Sequence, residues 1–194
     1  MVESIRDHIS STVGPKQILI RVNAGPIPLD HWMQDARIGG GRLIGEACHF
    51  VDLALYLSGA PIRTVHAVAI PLEGRSHALL DNFSIHLAFA NASVATIVYT
   101  SVGDPGLPKE YVEVFAGGKV GIIHDFRSVE LWKQGKSRRV RWSQQDKGQK
   151  SQIDAWVKGL RSGVSPIPFQ EIVNVHQACL SAIESLRTGG VQSL

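Results

Sequence analysis

The chain has 194 residues, 44% hydrophobic and 19% charged, with a formal net charge of +3. That suits one globular domain with its own core and excludes a disordered or collagen-like chain. Two cysteines are too few for a disulfide framework, no apolar run approaches the roughly 18 residues of a membrane span, and residues 1–15 lack the pattern of a secretory signal. The cytoplasm is the expected location.

Residues 1–15 read as a short polar helix or a frayed end, and residues 16–194 as a single domain. Strand patterns follow at Gln17–Asn23, Thr64–Pro71, Asn82–Ala90, Ser93–Ser101, Glu110–Ala116, Gly118–Asp125, Ser128–Lys133 and Arg138–Ser143. Several alternate cleanly, as Val112 and Val114 do against Tyr111 and Glu113. Links as short as Ala90-Asn91-Ala92 and Gly117-Gly118 predict hairpins and antiparallel neighbours. Helix patterns cover Arg42–Leu57, Lys150–Ser162 and Phe169–Thr188, the first stopping at Ser58-Gly59 before Pro61. No βαβ alternation repeats, so the expected class is α+β: an open, mostly antiparallel sheet of about six to nine strands with helices on one face.

Basic side chains concentrate only at Lys133, Lys136, Arg138, Arg139 and Arg141. Interleaved with Val140 and Trp142, they read as the polar face of a hairpin, and no nucleic-acid partner is expected. His66, His86 and His124 have no ligand-like spacing, and no metal site is expected. Cys48 and Cys179 fall among apolar helical residues and read as small buried hydrophobes.

The chemistry concentrates between Gly39 and Asp52. A triple glycine runs into an apolar segment carrying Glu46, His49 and Asp52, which on a regular helix share one strip of surface. A histidine between two carboxylates has its tautomer fixed and its basicity raised, which suits proton transfer near neutral pH. The same spacing also describes an ordinary solvated face. The glycines fail as a dinucleotide fingerprint, because three residues rather than two precede Gly45 and no strand leads into them.

Gly-Gly-Gly-x-Leu-Ile-x-x-x-x-His-x-x-Asp, here Gly39 to Asp52, resembles the signature that opens the second domain of the glucose–fructose oxidoreductase/inositol dehydrogenase (Gfo/Idh/MocA) family. The likeness extends to Arg21-Val22-Asn23-Ala24-Gly25-Pro26, Asp30-His31-Trp32, Asp81-Asn82-Phe83, Gly117-Gly118-Lys119 and Gln145–Gln149, roughly residues 16–188 in all. The variants present look most like a subgroup in which this module follows a zinc-type dehydrogenase domain.

The resemblance implies the C-terminal substrate domain of a two-domain oxidoreductase. Its Rossmann partner domain would bind NAD or NADP, this chain alone binding neither. The family's proton-accepting histidine falls on His49, while its aspartate falls on Gly45, leaving Glu46 as the neighbouring substitute. Arg21, Asn23, Trp32 and Lys109 are the expected contacts to a sugar, cyclitol or similar polyol. Members of the family commonly dimerise or tetramerise through the sheet, so a non-catalytic binding or dimerisation module is the alternative reading. No Gly-x-Gly-x-x-Gly after a strand and no Glu-Lys-Pro occurs in the chain.

Overall fold

Alternation along the strands fixes which side of the sheet is covered. In the computed structural model, which describes residues 1–74 and 76–194, Ile18, Ile20 and Val22 of β1 (Gln17–Asn23) are buried while Gln17 is exposed. The same period buries Phe83, Ile85, Leu87 and Phe89 of β3 (Phe83–Phe89), Ala95, Ile97 and Tyr99 of β4 (Val94–Thr100), and Val112 and Val114 of β5 (Glu110–Ala116). The other strands are β2 (Ile62–Ala69), β6 (Lys119–His124), β7 (Ser128–Lys133), β8 (Lys136–Arg141) and β9 (Gln192–Ser193). They form one nine-stranded sheet in the order β8-β7-β6-β5-β1-β4-β3-β2-β9. Its pairings are antiparallel except β1 with β4, where Arg21 stands beside Val98. The fold is α+β with an open sheet, as the sequence predicts.

Helices α1 (Val2–Ile9), α2 (Cys48–Ser58) and α4 (Phe169–Thr188) cover the inward face. Ile5 of α1 lies over Gly121 of β6, where an added Cβ would stand 2.8 Å from the isoleucine side chain. Phe50, Val51, Ala54, Leu55 and Leu57 of α2 and Val175, Ala178, Cys179 and Ala182 of α4 complete the core. Both cysteines are free, Cys179 buried and Cys48 partly so. Helix α3 (Gln149–Ser162) buries none of its residues and leaves Ile153, Trp156 and Leu160 exposed. No helix of the described residues is long and apolar enough to cross a membrane.

Strands β1, β5 and β7 and helix α4 begin and end where the sequence places them. β8 starts two residues earlier than expected. Gln134 and Gly135 both have positive φ, a two-residue turn that lets pairing resume at Lys136. β2 stops short of Pro71, which has no N–H for the ladder. The largest local difference is at the start of the first long helix, where Leu43–Ala47 form a π-helical turn before α2.

Candidate active site

The π-helical turn decides where Glu46 points. One extra residue per turn rotates what precedes it relative to the regular helix, and such turns recur at functional sites. Gly41 enters the turn at a positive φ of 84°, with an added Cβ only 1.9 Å from the Ala78 carbonyl oxygen. At Gly39 an added Cβ would stand 2.4 Å from the Met33 backbone. These glycines serve close approach of chain to chain.

From that turn the Glu46 carboxylate accepts hydrogen bonds from the Tyr99 hydroxyl and Lys109 Nζ, and from Arg42 Nη2 at 3.3 Å. Arg42 is almost fully buried; its Nη1 donates to the Gly25 carbonyl at 2.6 Å and its guanidinium lies 5.2 Å from the Tyr99 ring centroid. Burial by itself would raise the Glu46 carboxyl, but the bonds from Lys109 and Tyr99 and the charges of Lys109 and Arg42 outweigh it. The carboxyl is held below its ordinary value and stays ionised at neutral pH. Burial, with Glu46 as neighbour, pushes the Tyr99 hydroxyl up, so it remains a donor.

His49 lies one turn further on, exposed at the start of α2, with Asp52 as its charged neighbour. Burial raises the Asp52 carboxyl, and the His49 charge offsets this in part. The expected histidine clasped by two carboxylates is not what forms: Glu46 turns instead to Tyr99, Lys109 and Arg42. At Gly45, an added Cβ would stand 3.4–3.6 Å from the Met33 side chain, which occupies that side of the turn.

Asn23 is buried at the end of β1, its Nδ2 donating to the carbonyls of Asp104 (2.8 Å) and Leu107 (3.1 Å). It fastens the loop that delivers Lys109. Gly103 makes room for it, since a Cβ there would fall 2.0 Å from Asn23 Oδ1. Arg21 donates from Nη1 to the Pro108 carbonyl at 2.8 Å. Trp32 is 55% exposed in a 3-10 turn that His31 caps by accepting from the Met33 amide through Nδ1. The fold thus gathers Arg21, Asn23, Lys109 and Glu46, while Trp32 and His49 stand outside the hydrogen-bonded cluster.

Beyond Lys109 a groove of about 970 Å³ runs from the end of β1 to β8. Glu110, almost fully buried, accepts from Lys147 Nζ at 2.7 Å, and its backbone N–H donates to Asp125 Oδ1 at 3.3 Å. Gln145 and Asp146 bind the carbonyls of Asp125 and Phe126, a turn with two consecutive positive φ values. Tyr99 and Arg42 were not expected as site residues from the sequence. Their one local signal is a polar group at an inward position of an apolar pattern. No group of three or more metal-ligating side chains occurs among the described residues.

The chain is thus a half-covered, mostly antiparallel sheet with a charged cluster at the mouth of its first long helix. Residues 17–116, just over half of the chain, match the GFO/IDH/MocA C-terminal domain, and the chain belongs to that family. No curated protein matches by sequence. Among solved structures, an aldose-aldose oxidoreductase from Caulobacter crescentus complexed with glycerol superposes with a TM-score of 0.79 at 18% identity. All of this chain and 59% of that one are covered. A UDP-N-acetylglucosamine 3-dehydrogenase from Acidithiobacillus ferrooxidans has a TM-score of 0.74 at 15% identity, with 95% and 56% covered. An oxidoreductase from Agrobacterium radiobacter in complex with NAD+, L-tartaric acid and magnesium has 0.73 at 12%, with 99% and 61% covered. The chain therefore spans about three-fifths of the length of these relatives.

Proposed function

We propose that this chain is the substrate-binding and catalytic C-terminal module of an NAD(P)-dependent oxidoreductase acting on a sugar, cyclitol or similar hydroxy compound. The observation that carries the reading is the ionised Glu46 that holds Lys109 at the groove one turn before the exposed His49. His49 accepts the proton of the reacting hydroxyl. Lys109, fixed by Glu46, and Arg21 donate hydrogen bonds to the substrate, with Asn23 keeping the Lys109 loop in place. Trp32 covers the approach from the loop after β1.

A dinucleotide needs a glycine turn leading from a strand into a helix N-terminus. The described residues do not fit it: β1 runs into Asn23-Ala24-Gly25 with no helix following, and the β8–α3 link carries only Gly148. The cofactor cradle belongs to a Rossmann domain, in the same full-length chain or in another.

The test is turnover by the chain joined to its nucleotide-binding domain. His49→Ala is expected to lower kcat by about 10²–10⁴, the usual contribution of a positioned general base. Unchanged turnover overturns the assignment. Calorimetric titration of the isolated chain with NADH and NADPH is expected to give no saturable heat.

A second reading is favoured by the uncovered face of the sheet, where Val68, Val94, Phe115 and Trp132 are exposed. Apolar patches of this kind mark association. On that reading the chain is a dimerisation module that meets a second copy through the open face.

A further inference from the structure

His66 and His86 are too far apart in the chain to have ligand-like spacing, but the sheet removes that distance. Antiparallel pairing of β2 with β3 sets His66 directly opposite His86, and pairing of β3 with β4 sets His86 opposite Thr96. Alternation turns all three away from the core, since their neighbours Val65, Ala67, Ile85, Leu87, Ala95 and Ile97 are buried on the other side. The row therefore lies on the uncovered face of the sheet, with His66 half-buried and His86 exposed. Directly opposed residues of an antiparallel pair have their Cβ atoms about 4.5–5.5 Å apart, close enough for both side chains to hold one small ligand.

The two rings are already close to a shared position. Their centres are 6.3 Å apart and their planes are 21° from parallel. An ion about 2.0–2.1 Å from one nitrogen of each ring would bring the centres to roughly 5 Å at a tetrahedral angle. Rotation about the side-chain torsions closes that gap without moving either strand. Thr96 supplies the support that a metal-binding imidazole needs, with its Oγ1 3.2 Å from His86 Nδ1. With Nδ1–H donating there, the His86 lone pair is fixed on Nε2 and is free for an ion. The His66 ring makes no hydrogen bond among the described residues, so both of its nitrogens are uncommitted. On the same face Thr64 and Val68 of β2, Ser84 and Ala88 of β3 and Val98 of β4 flank the pair, and none carries a charge. The donor set is thus two imidazoles and water, which suits zinc, nickel or copper rather than magnesium or calcium.

We infer that His66 and His86 form a two-histidine site for a divalent transition-metal ion of the zinc, nickel or copper class, with Thr96 as its positioning residue and water in the remaining positions. The inference is independent of the reaction proposed above, because the pair lies on the face of the sheet opposite the helices, away from His49 on α2. It departs from the expectation of no metal site because strand register, not spacing along the chain, brings the two ligands together.

The test is calorimetric titration of the chain with zinc chloride in a non-chelating buffer slightly above neutral pH. The wild type is compared with His66→Ala, with His86→Ala and with His176→Ala, which removes an exposed imidazole from α4 instead. Expected are one ion per chain in the wild type, a loss of tenfold or more in each of the first two variants, and a change within twofold in the third. Magnesium chloride is expected to give no saturable heat. Absence of saturable zinc binding overturns the inference. So does affinity that survives His86→Ala, which would put the ion elsewhere, and so does magnesium binding as tight as that of zinc. Should a histidine variant fail to fold, Thr96→Val keeps both imidazoles and nearly the same side-chain volume. It is expected to weaken zinc binding by about tenfold or more, the usual effect of removing the group that orients a metal-bound histidine. An unchanged affinity in Thr96→Val overturns the inference as well.

Discussion

Glu46 is a carboxylate whose charge three donors keep in place, and this has a consequence for stability. Its folded pKa lies below the unfolded value, so the stabilisation is complete above the ordinary carboxylate range and is lost as pH falls through the folded value. Glu46→Gln removes the charge that compensates the buried Arg42 and half-buried Lys109. The variant is expected to lose about 2 kcal/mol at neutral pH, the scale of leaving charged hydrogen-bonding groups unmatched. Its stability should also fall less steeply than the wild type's between about pH 5 and 3. Urea denaturation at several pH values checks both, and parallel curves for the two proteins would contradict the role given to Glu46. As a candidate it was legible in the sequence, because a glutamate near a histidine after three glycines stands out. Its partners were not. Tyr99 is 53 residues away and Lys109 is 63, separations to which no local periodicity is sensitive.

At the scale of elements, the π-helical turn and α3 depart most from regular expectation. A regular helix from Arg42 would have put Glu46, His49 and Asp52 on one strip. The π-helical turn sends Glu46 toward β4 and β5 instead, because the buried Arg42, the Tyr99 hydroxyl and Lys109 converge there. Helix α3 was read correctly as a helix from its 3.6-residue pattern, but that pattern does not say what covers its apolar side. With no buried residue, α3 gains little from tertiary packing, and 14 residues are marginal for an isolated helix. Its amides are expected to exchange with solvent far faster than those of the core face of α4, by about 10²-fold or more. Hydrogen exchange read by mass spectrometry checks this; equal protection in α3 and α4 would mean that α3 is held by packing in solution.

For the whole molecule, the open face of the sheet carries the test of the proposed dimerisation reading. Phe115 is 41% exposed on that face near the end of β5, opposite Gln17 on β1 and Val120 on β6. If two copies meet there, Phe115→Arg buries two uncompensated guanidiniums per dimer and shifts the chain to monomer in sedimentation without loss of fold. A wild-type chain that sediments as a monomer removes the main support for the dimerisation reading. His49→Ala then tests the catalytic reading independently, since His49 lies at α2 on the opposite, helical side.

The sequence by itself determined eight of the nine strands, the three long helices, the α+β class and the family motif. Each of these is written in residues close together in the chain, through period two, period 3.6, glycine turns and one fourteen-residue signature. It did not determine that β1 lies between β4 and β5, or that it runs parallel to β4. Short links predict only which consecutive strands are neighbours, and β1 reaches its partners across more than 70 residues. That insertion places Arg21 and Asn23 beside Lys109 and sets one wall of the groove, while β8, four strands away, sets the other. The chemistry of the site is therefore local where one helix carries it. Only the tertiary structure decided it where the sheet had to bring distant segments together, because strand order depends on burying both ends of the core at once.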